Sequence, residues 1–236
     1  MTKKPKIKTV AIIVAAGKGV RMAAAVPKLL VQVGQRPILA HTLSAFEAAS
    51  HVYEVLLVVA GPMMNAVVKE VVDVYGFQKV SKIISGGATR QESVYAGLKV
   101  LDPSYPLVVI HDGARPLITP ELIDLAIERA AQHQAVAVAV RPKDTIKRGD
   151  GQYLLATLNR SQLWVMQTPQ VFRRDLILSA HQRALREGYQ ATDDASLVEA
   201  LGKKVFVVEG RYDNIKVTTP EDLTYVEMVL RRRHGR

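Results

Sequence analysis

The sequence predicts an α/β fold: a mainly parallel, twisted sheet with helices on both faces, plus a protruding β-hairpin arm. Three observations carry this. Short apolar runs rich in β-branched residues, such as Val10–Val14 and Ala135–Val140, alternate with stretches of helical spacing. That alternation implies right-handed βαβ units and a sheet covered on both sides. Residues 141–166 alone break the pattern, with polar flanks around Gly149-Asp150-Gly151. No repeat or low-complexity linker divides the 236 residues, so 1–236 reads as one domain with 141–166 as the arm.

The first strand, Val10–Val14, runs into Ala15-Ala16-Gly17-Lys18-Gly19, with Arg21 just beyond. Small residues let the backbone approach a ligand closely, and consecutive N–H groups form an anion-binding nest. With two cations, Lys18 and Arg21, the expected ligand is a phosphate chain. Two familiar phosphate loops do not match. Met22 stands where the dinucleotide fingerprint needs its third glycine, and Gly17-Lys18-Gly19 lacks the Ser or Thr of a P-loop.

Ile38–Ala49 has helical spacing, Glu54–Ala60 reads as a buried strand, Met63–Tyr75 as a helix and Lys79–Ile84 as a short strand. Gly86-Gly87 breaks the chain before a helix over about Thr89–Leu101. The strand Leu107–Ile110 leads into His111-Asp112-Gly113-Ala114-Arg115-Pro116. Thr119-Pro120 then caps a helix reaching His133, with Thr as N-cap and Pro at the first helical position. Ligands in such folds collect beyond the carboxyl ends of the strands. The loops after Val14, Ile84 and Ile110 all fall there, which points to one site.

In the arm, Gln152–Leu158 is strand-like across the Gly149-Asp150-Gly151 turn. An isolated two-stranded hairpin is marginal in water, so it needs a surface, and a second copy of the chain is the simplest one. Thr168–Phe172 returns to the body and Asp175–Glu187 is helical. Thr192–Ser196 starts a short helix, and Val205–Val208 and Asn214–Val217 read as strands. Thr219-Pro220-Glu221-Asp222 opens the last helix with a capping-box pattern.

Composition narrows the classes. The apolar share of 48% and charged share of 23% are ordinary for a globular chain. The absence of cysteine excludes disulfides and thiolate metal sites and agrees with a reducing, cytoplasmic setting. No apolar run nears the ~18 residues of a membrane span, so no membrane partner is expected. The lysines at 3, 4, 6 and 8 before an apolar run imitate a signal peptide. Cleavage there would remove the strand feeding the phosphate loop, so that reading is set aside. The net charge of +10 is concentrated at those lysines and at Arg231, Arg232, Arg233 and Arg236. Charged ends of this kind are ordinarily solvated. The remaining slight excess suits small anions, and no nucleic-acid partner is expected.

The motifs Ala15–Met22, Pro27-Lys28, Gly86-Gly87 through Arg90 and Ser93, and His111–Pro116 recur together with four more. These are Asn159-Arg160 with Trp164, Thr168-Pro169-Gln170, Thr192-Asp193 and Asp213–Val217. In this order, from Val10 to about Val229, the chain resembles the 2-C-methyl-D-erythritol 4-phosphate cytidylyltransferases of the non-mevalonate isoprenoid pathway. A sibling family, the ribitol-5-phosphate cytidylyltransferases, shares the loop, the His-Asp and the Thr-Pro-Gln. It usually carries Ala-Gly-Gly in the loop and an aromatic residue before Asn-Ile-Lys, where this chain has Ala15-Ala16-Gly17 and Asp213. Ribitol 5-phosphate is therefore the alternative acceptor.

The resemblance implies a Rossmann-like nucleotidyltransferase fold and transfer of CMP from CTP to methylerythritol phosphate, with release of pyrophosphate. It implies that Lys28, Lys216 and Arg21 are the catalytic cations. Ala15, Ala16, Gly17 and Gly19 would hold the nucleotide phosphates, and Gly87, Ala88 and Ser93 would read the base. Asp112, Arg115, Arg160 and Thr168 would meet the acceptor. Thr145 would reach acceptor bound to a neighbouring subunit, so the implied assembly is a homodimer through the arm. Mg²⁺ or another divalent cation is the implied cofactor, with Asp112 and Asp213 as its candidate carboxylates; His111, with no second histidine at ligand spacing, reads as structural. Two positions depart from the family pattern: Val14 where many members have proline, and Ala88 where an acidic residue is common.

Overall fold

The computed structural model describes residues 7–17 and 27–235, apart from the side chain of His234. Gly19 and Arg21, both singled out above, lie outside the described residues, as do Lys18 and Met22.

The chain begins with β1 (Thr9–Ala15), the two-residue strands β2 (Gln32–Val33) and β3 (Arg36–Pro37), α1 (Ile38–Ala48) and β4 (Val52–Val59). A helical stretch follows: α2 (Met64–Val67), a π-helical turn (Val68–Val72) and α3 (Asp73–Tyr75). Next come β5 (Val80–Ser85), α4 (Arg90–Lys99), β6 (Leu107–Asp112), α5 (Pro120–His133) and β7 (Ala135–Val140). The arm contains β8 (Lys147–Gly149) and β9 (Leu154–Thr157). The chain then forms β10 (Val165–Arg173), α6 (Arg174–Glu187), α7 (Asp194–Ala200), β11 (Phe206–Glu209) and α8 (Pro220–His234).

Seven strands form one sheet in the order β11-β7-β10-β6-β1-β4-β5. β1 pairs parallel with β4 and β6, β4 with β5, and β11 with β7. Among the described strands of this sheet only β10 runs antiparallel, between β6 and β7. β1 shows why its run carries no polar residue after Thr9. Ala11, Ile13 and Ala15 pack on one face with Leu39, Leu43 and Phe46 of α1. Val10 and Ile12 pack on the other with Val94 and Leu98 of α4 and with Phe172 and Ile177. Burying each large aliphatic side chain contributes about 1.5–3 kcal/mol, so a strand buried on both faces draws on two cores at once.

The helix starts follow local chemistry. Thr89 Oγ1 accepts the Glu92 N–H at 3.1 Å, and Asp193 Oδ1 accepts the Ser196 N–H at 3.0 Å. Thr219 and Asp222 cap reciprocally at the start of α8. Three expectations are corrected. Asn214–Val217 forms no strand, because its backbone is committed elsewhere: Arg115 donates to Asn214 O at 2.8 Å and Val217 N–H to Ala114 O at 2.8 Å. The return after the arm is a nine-residue strand, masked in the sequence by buried polar residues Gln167, Thr168 and Gln170. Nor are Lys8 and Arg233, in the basic ends, merely solvated. Arg233 donates to Leu117 O and Asp213, and Lys8 lies over the Tyr105 ring at 4.6 Å.

β8 and β9 pair only with each other and form a separate two-stranded sheet. Asp150 Oδ1 closes their turn by accepting the N–H groups of Gln152 and Tyr153, and Gly151 takes φ +103°. Tyr153, Leu154 and Leu155 beyond that turn are exposed.

Candidate active site

β1, β4, β5 and β6 run parallel, so their carboxyl ends lie along one rim of the sheet. A cavity of about 160 Å³ opens at that rim. Of the residues singled out in the sequence, Ala15, Ala16, Gly17, Lys28, Gly87, Ala88, Ser93, Asp112 and Lys216 line it. A second cavity, of about 400 Å³, includes Arg115 and Thr168. Arg90, Asp112 and Lys216 line both, so these three side chains form a shared wall.

Beside the first cavity two loops approach each other unusually closely. A Cβ on Gly86 would lie 2.5 Å from the Ala16 Cβ and 2.7 Å from the Ser93 Oγ, so only glycine lets these two loops meet. Ser93 then ties the turn together. Its Oγ accepts the Gly87 N–H at 3.1 Å and donates to Thr89 O at 2.8 Å. The Ala88 N–H donates to Glu92 Oε2 at 2.7 Å. Across the cavity, Lys28 Nζ donates to Val217 O at 2.9 Å, which fastens it to the segment carrying Lys216.

Asp112, at the end of β6, is the electrostatic centre. Its Oδ1 accepts from Arg90 Nε at 2.9 Å, and its Oδ2 faces Lys216 Nζ at 3.1 Å and Arg115 Nε at 3.5 Å. Burial pushes its carboxyl up, but the charges of Arg90, Lys216 and Arg115 outweigh this and hold it well below the usual carboxylate range. Arg90 carries on to Asp194, with Nη1 2.7 Å from Oδ2. Burial alone would lower Arg90, and the two carboxylates reverse that and raise it.

Behind this wall, the Asp112 N–H donates to Thr168 Oγ1 at 3.1 Å, and Thr168 Oγ1 lies 3.0 Å from His111 Nδ1. His111 is fully buried against the Phe46 ring, with centroids 5.0 Å apart. Burial pushes its imidazole down to about 3, so it stays neutral and structural.

Three residues singled out in the sequence are not brought to either cavity. Thr145 and Arg160 are exposed on the arm, where Arg160 Nη1 donates to Lys143 O. The Asp213 carboxylate is clamped by Arg211 at 3.0 Å and Arg233 at 3.0 Å and lines a separate groove. Arg90 and Gln170 line the second cavity and Asp194 lies behind Arg90, yet the sequence assigns none of the three a role. Arg90 and Gln170 stand inside quoted motifs, but nothing local links either one to Asp194. Among the described residues no group of three or more His, Cys, Asp or Glu side chains is placed to hold a metal ion. No helix among them is long and apolar enough to cross a membrane.

The profile of the 2-C-methyl-D-erythritol 4-phosphate cytidylyltransferase family matches residues 9–232. A protein of that name from Pelotomaculum thermopropionicum is 46% identical over 230 residues, covering 97% of each chain. One from Alkaliphilus oremlandii is 47% identical over 231 residues, covering 97% of this chain and 98% of the relative. The crystal structure of 4-diphosphocytidyl-2C-methyl-D-erythritol synthase from Anaerococcus prevotii superposes with a TM-score of 0.84 at 35% identity, covering 95% and 96% of the two chains. The rim cavity, the Asp112–Lys216 wall and these matches over nearly the whole length agree, and the chain belongs to the 2-C-methyl-D-erythritol 4-phosphate cytidylyltransferase family.

Proposed function

We propose that the chain transfers CMP from CTP to 2-C-methyl-D-erythritol 4-phosphate, forming 4-diphosphocytidyl-2-C-methyl-D-erythritol and pyrophosphate. The observation that carries this reading is the wall of Asp112 and Lys216 common to two cavities, with Lys28 on the nucleotide side. Two substrates that must meet at one phosphorus need such a boundary.

A phosphate oxygen of the acceptor attacks the α-phosphorus of CTP in line with the departing pyrophosphate. Little covalent chemistry falls to the protein, so positioning and charge neutralisation carry the rate. The Ala15-Ala16-Gly17 backbone and the loop beyond it, with Gly19 and Arg21, would hold the β- and γ-phosphates. Lys28 would stabilise charge at the α-phosphate from the nucleotide side and Lys216 from the acceptor side. Gly87, Ala88 and Ser93 would face cytosine. Asp112, Arg115 and Thr168 would shape the acceptor cavity.

The fit to Mg²⁺ is limited to an ion that arrives on the triphosphate. Such an ion takes one or two carboxylates in addition to phosphate oxygens and waters. Asp112, which lines the first cavity, would be the one to meet it, while Asp213 lines a separate groove. Bound there, the ion would neutralise phosphate charge.

The arm supports a homodimer. Tyr153, Leu154 and Leu155 are 71%, 75% and 56% exposed on one short hairpin, which calls for cover by another surface. In that assembly Thr145 and Arg160 would complete the acceptor site of the neighbouring subunit, and residues 1–236 would act as one domain per protomer. A cytoplasmic setting agrees with the use of CTP.

The test is pyrophosphate release with CTP and Mg²⁺, comparing methylerythritol 4-phosphate with ribitol 5-phosphate. Turnover with the first alone is expected. Equal turnover with ribitol 5-phosphate would mean the acceptor cavity has been misread.

A further inference from the structure

We infer that Arg90 and Asp194 are positioning residues for the transfer, acting as an anchored strut that sets where Asp112 presents Lys216. The inference rests on the proposed cytidylyl transfer. The strut is built from the bottom of the fold upward. Gln170 Oε1, on β10, accepts the backbone N–H groups of Asp194 at 3.1 Å and Ala195 at 3.0 Å. Gln170 Nε2 donates to Asp193 Oδ2 at 2.7 Å, and Asp193 caps the same short helix. The start of α7 is thereby fixed against the sheet.

Asp194, 1% exposed, is then held on two sides. His181 Nε2 lies 3.1 Å from its Oδ1, and Arg90 Nη1 lies 2.7 Å from its Oδ2. Arg90 uses its Nε for Asp112 Oδ1 and so bridges two carboxylates with one planar group. That leaves Asp112 Oδ2 turned to Lys216 Nζ at 3.1 Å. The line Gln170–Asp194–Arg90–Asp112–Lys216 ends at the wall shared by the two cavities.

Its composition argues against a purely structural purpose. A buried ion pair returns little net stability, because the desolvation of both partners offsets their attraction. What the pair does supply is geometry, since a guanidinium pinned at both Nε and Nη1 has no rotational freedom left. A cation that must meet the α-phosphate gains from being held, because a displacement of about 1 Å at a reacting centre costs on the order of 100-fold in rate.

The experiment compares wild type, Asp194→Asn and the double variant Arg90→Gln/Asp194→Asn. Removing both charges together avoids stranding one in the interior, so the double variant stays folded if the single one does not. Circular dichroism and melting verify the fold. The expected result is a kcat lowered by about 10- to 100-fold, with the Kd for CTP by equilibrium titration within about threefold of wild type. The decisive arm repeats Asp194→Asn in a Lys216→Ala background. There the strut has nothing to position, and its loss is expected to cost less than about threefold more. Arg90→Lys, which keeps the charge but not the two-carboxylate bridge, is expected to recover only part of kcat.

A wild-type kcat in folded Asp194→Asn or in the folded double variant would overturn the inference. So would an undiminished loss in the Lys216→Ala background, which would mark a general structural role. Absence of cytidylyl transfer by the wild-type chain would overturn the proposed function, and this inference with it.

Discussion

Lys216→Ala separates the role of this lysine from its place in the fold. Its ammonium sits 3.1 Å from Asp112 Oδ2, and its side chain is 39% exposed. Asp112 keeps Arg90 at 2.9 Å and Arg115 at 3.5 Å when the lysine is removed, so no buried carboxylate is stranded. A partly solvated ion pair contributes about 0–1 kcal/mol to stability. For a chain of this size that shifts Tm by no more than about 4 °C. The catalytic loss is much larger. Removing one oriented donor from a site of developing charge costs roughly 10²–10³ in kcat, or about 2.7–4 kcal/mol. The assay pairs pyrophosphate release under saturating CTP with a thermal melt of the same preparation. A kcat within threefold of wild type would refute the argument, and so would a Tm loss large enough to account for the missing activity by unfolding.

Further predictions concern the histidine, the glycine turn and the arm. His111 is neutral when folded, with a pKa of about 3 against 6.5 when free, so its contribution is complete above pH 6.5 and falls as pH drops below it. At pH 5 the loss is about 2 kcal/mol, measured by denaturant unfolding at pH 7.5 and pH 5. His111→Gln should flatten that difference, and an unchanged slope would contradict it. Asp112 and Asp194, both held below the ordinary carboxylate range, add their own losses only at lower pH. Gly86→Ala places a methyl 2.5 Å from the Ala16 Cβ, so the phosphate loop must move. A stability cost of about 1–3 kcal/mol is expected, and CTP affinity by titration should fall as well. If the proposed arm-mediated dimer forms, Leu154→Asp with Leu155→Asp on the exposed hairpin should convert it to monomer in sedimentation velocity and lower turnover, while an unchanged sedimentation coefficient would rule out the arm as the interface.

Much of the architecture is legible because it is encoded locally. β1 and β7 are written as uninterrupted apolar runs, since a parallel strand buried on both faces tolerates little else. Thr89, Thr119 and Thr219 announce their helices because a cap acts within three residues. β10 was hidden by the opposite circumstance. Gln167, Thr168 and Gln170 are buried polar residues that find their partners in other elements, so no period of two or of 3.6 marks them.

The position of the site at the sheet rim follows from chain order, because loops after parallel strands emerge on the same edge of a sheet. Ala15–Gly17, Gly87 and Asp112 stand in those loops, while Lys216 is assigned through the family resemblance. Which charges meet is fixed by the folded arrangement and not by local sequence. Arg90 lies 22 residues from Asp112 and 104 from Asp194, and it touches both. Asp213, in the motif that contains Lys216, turns instead to Arg211 and Arg233. Charge pairing has no sequence period and acts over a few ångströms of space, so it is settled only when the sheet order brings distant loops together.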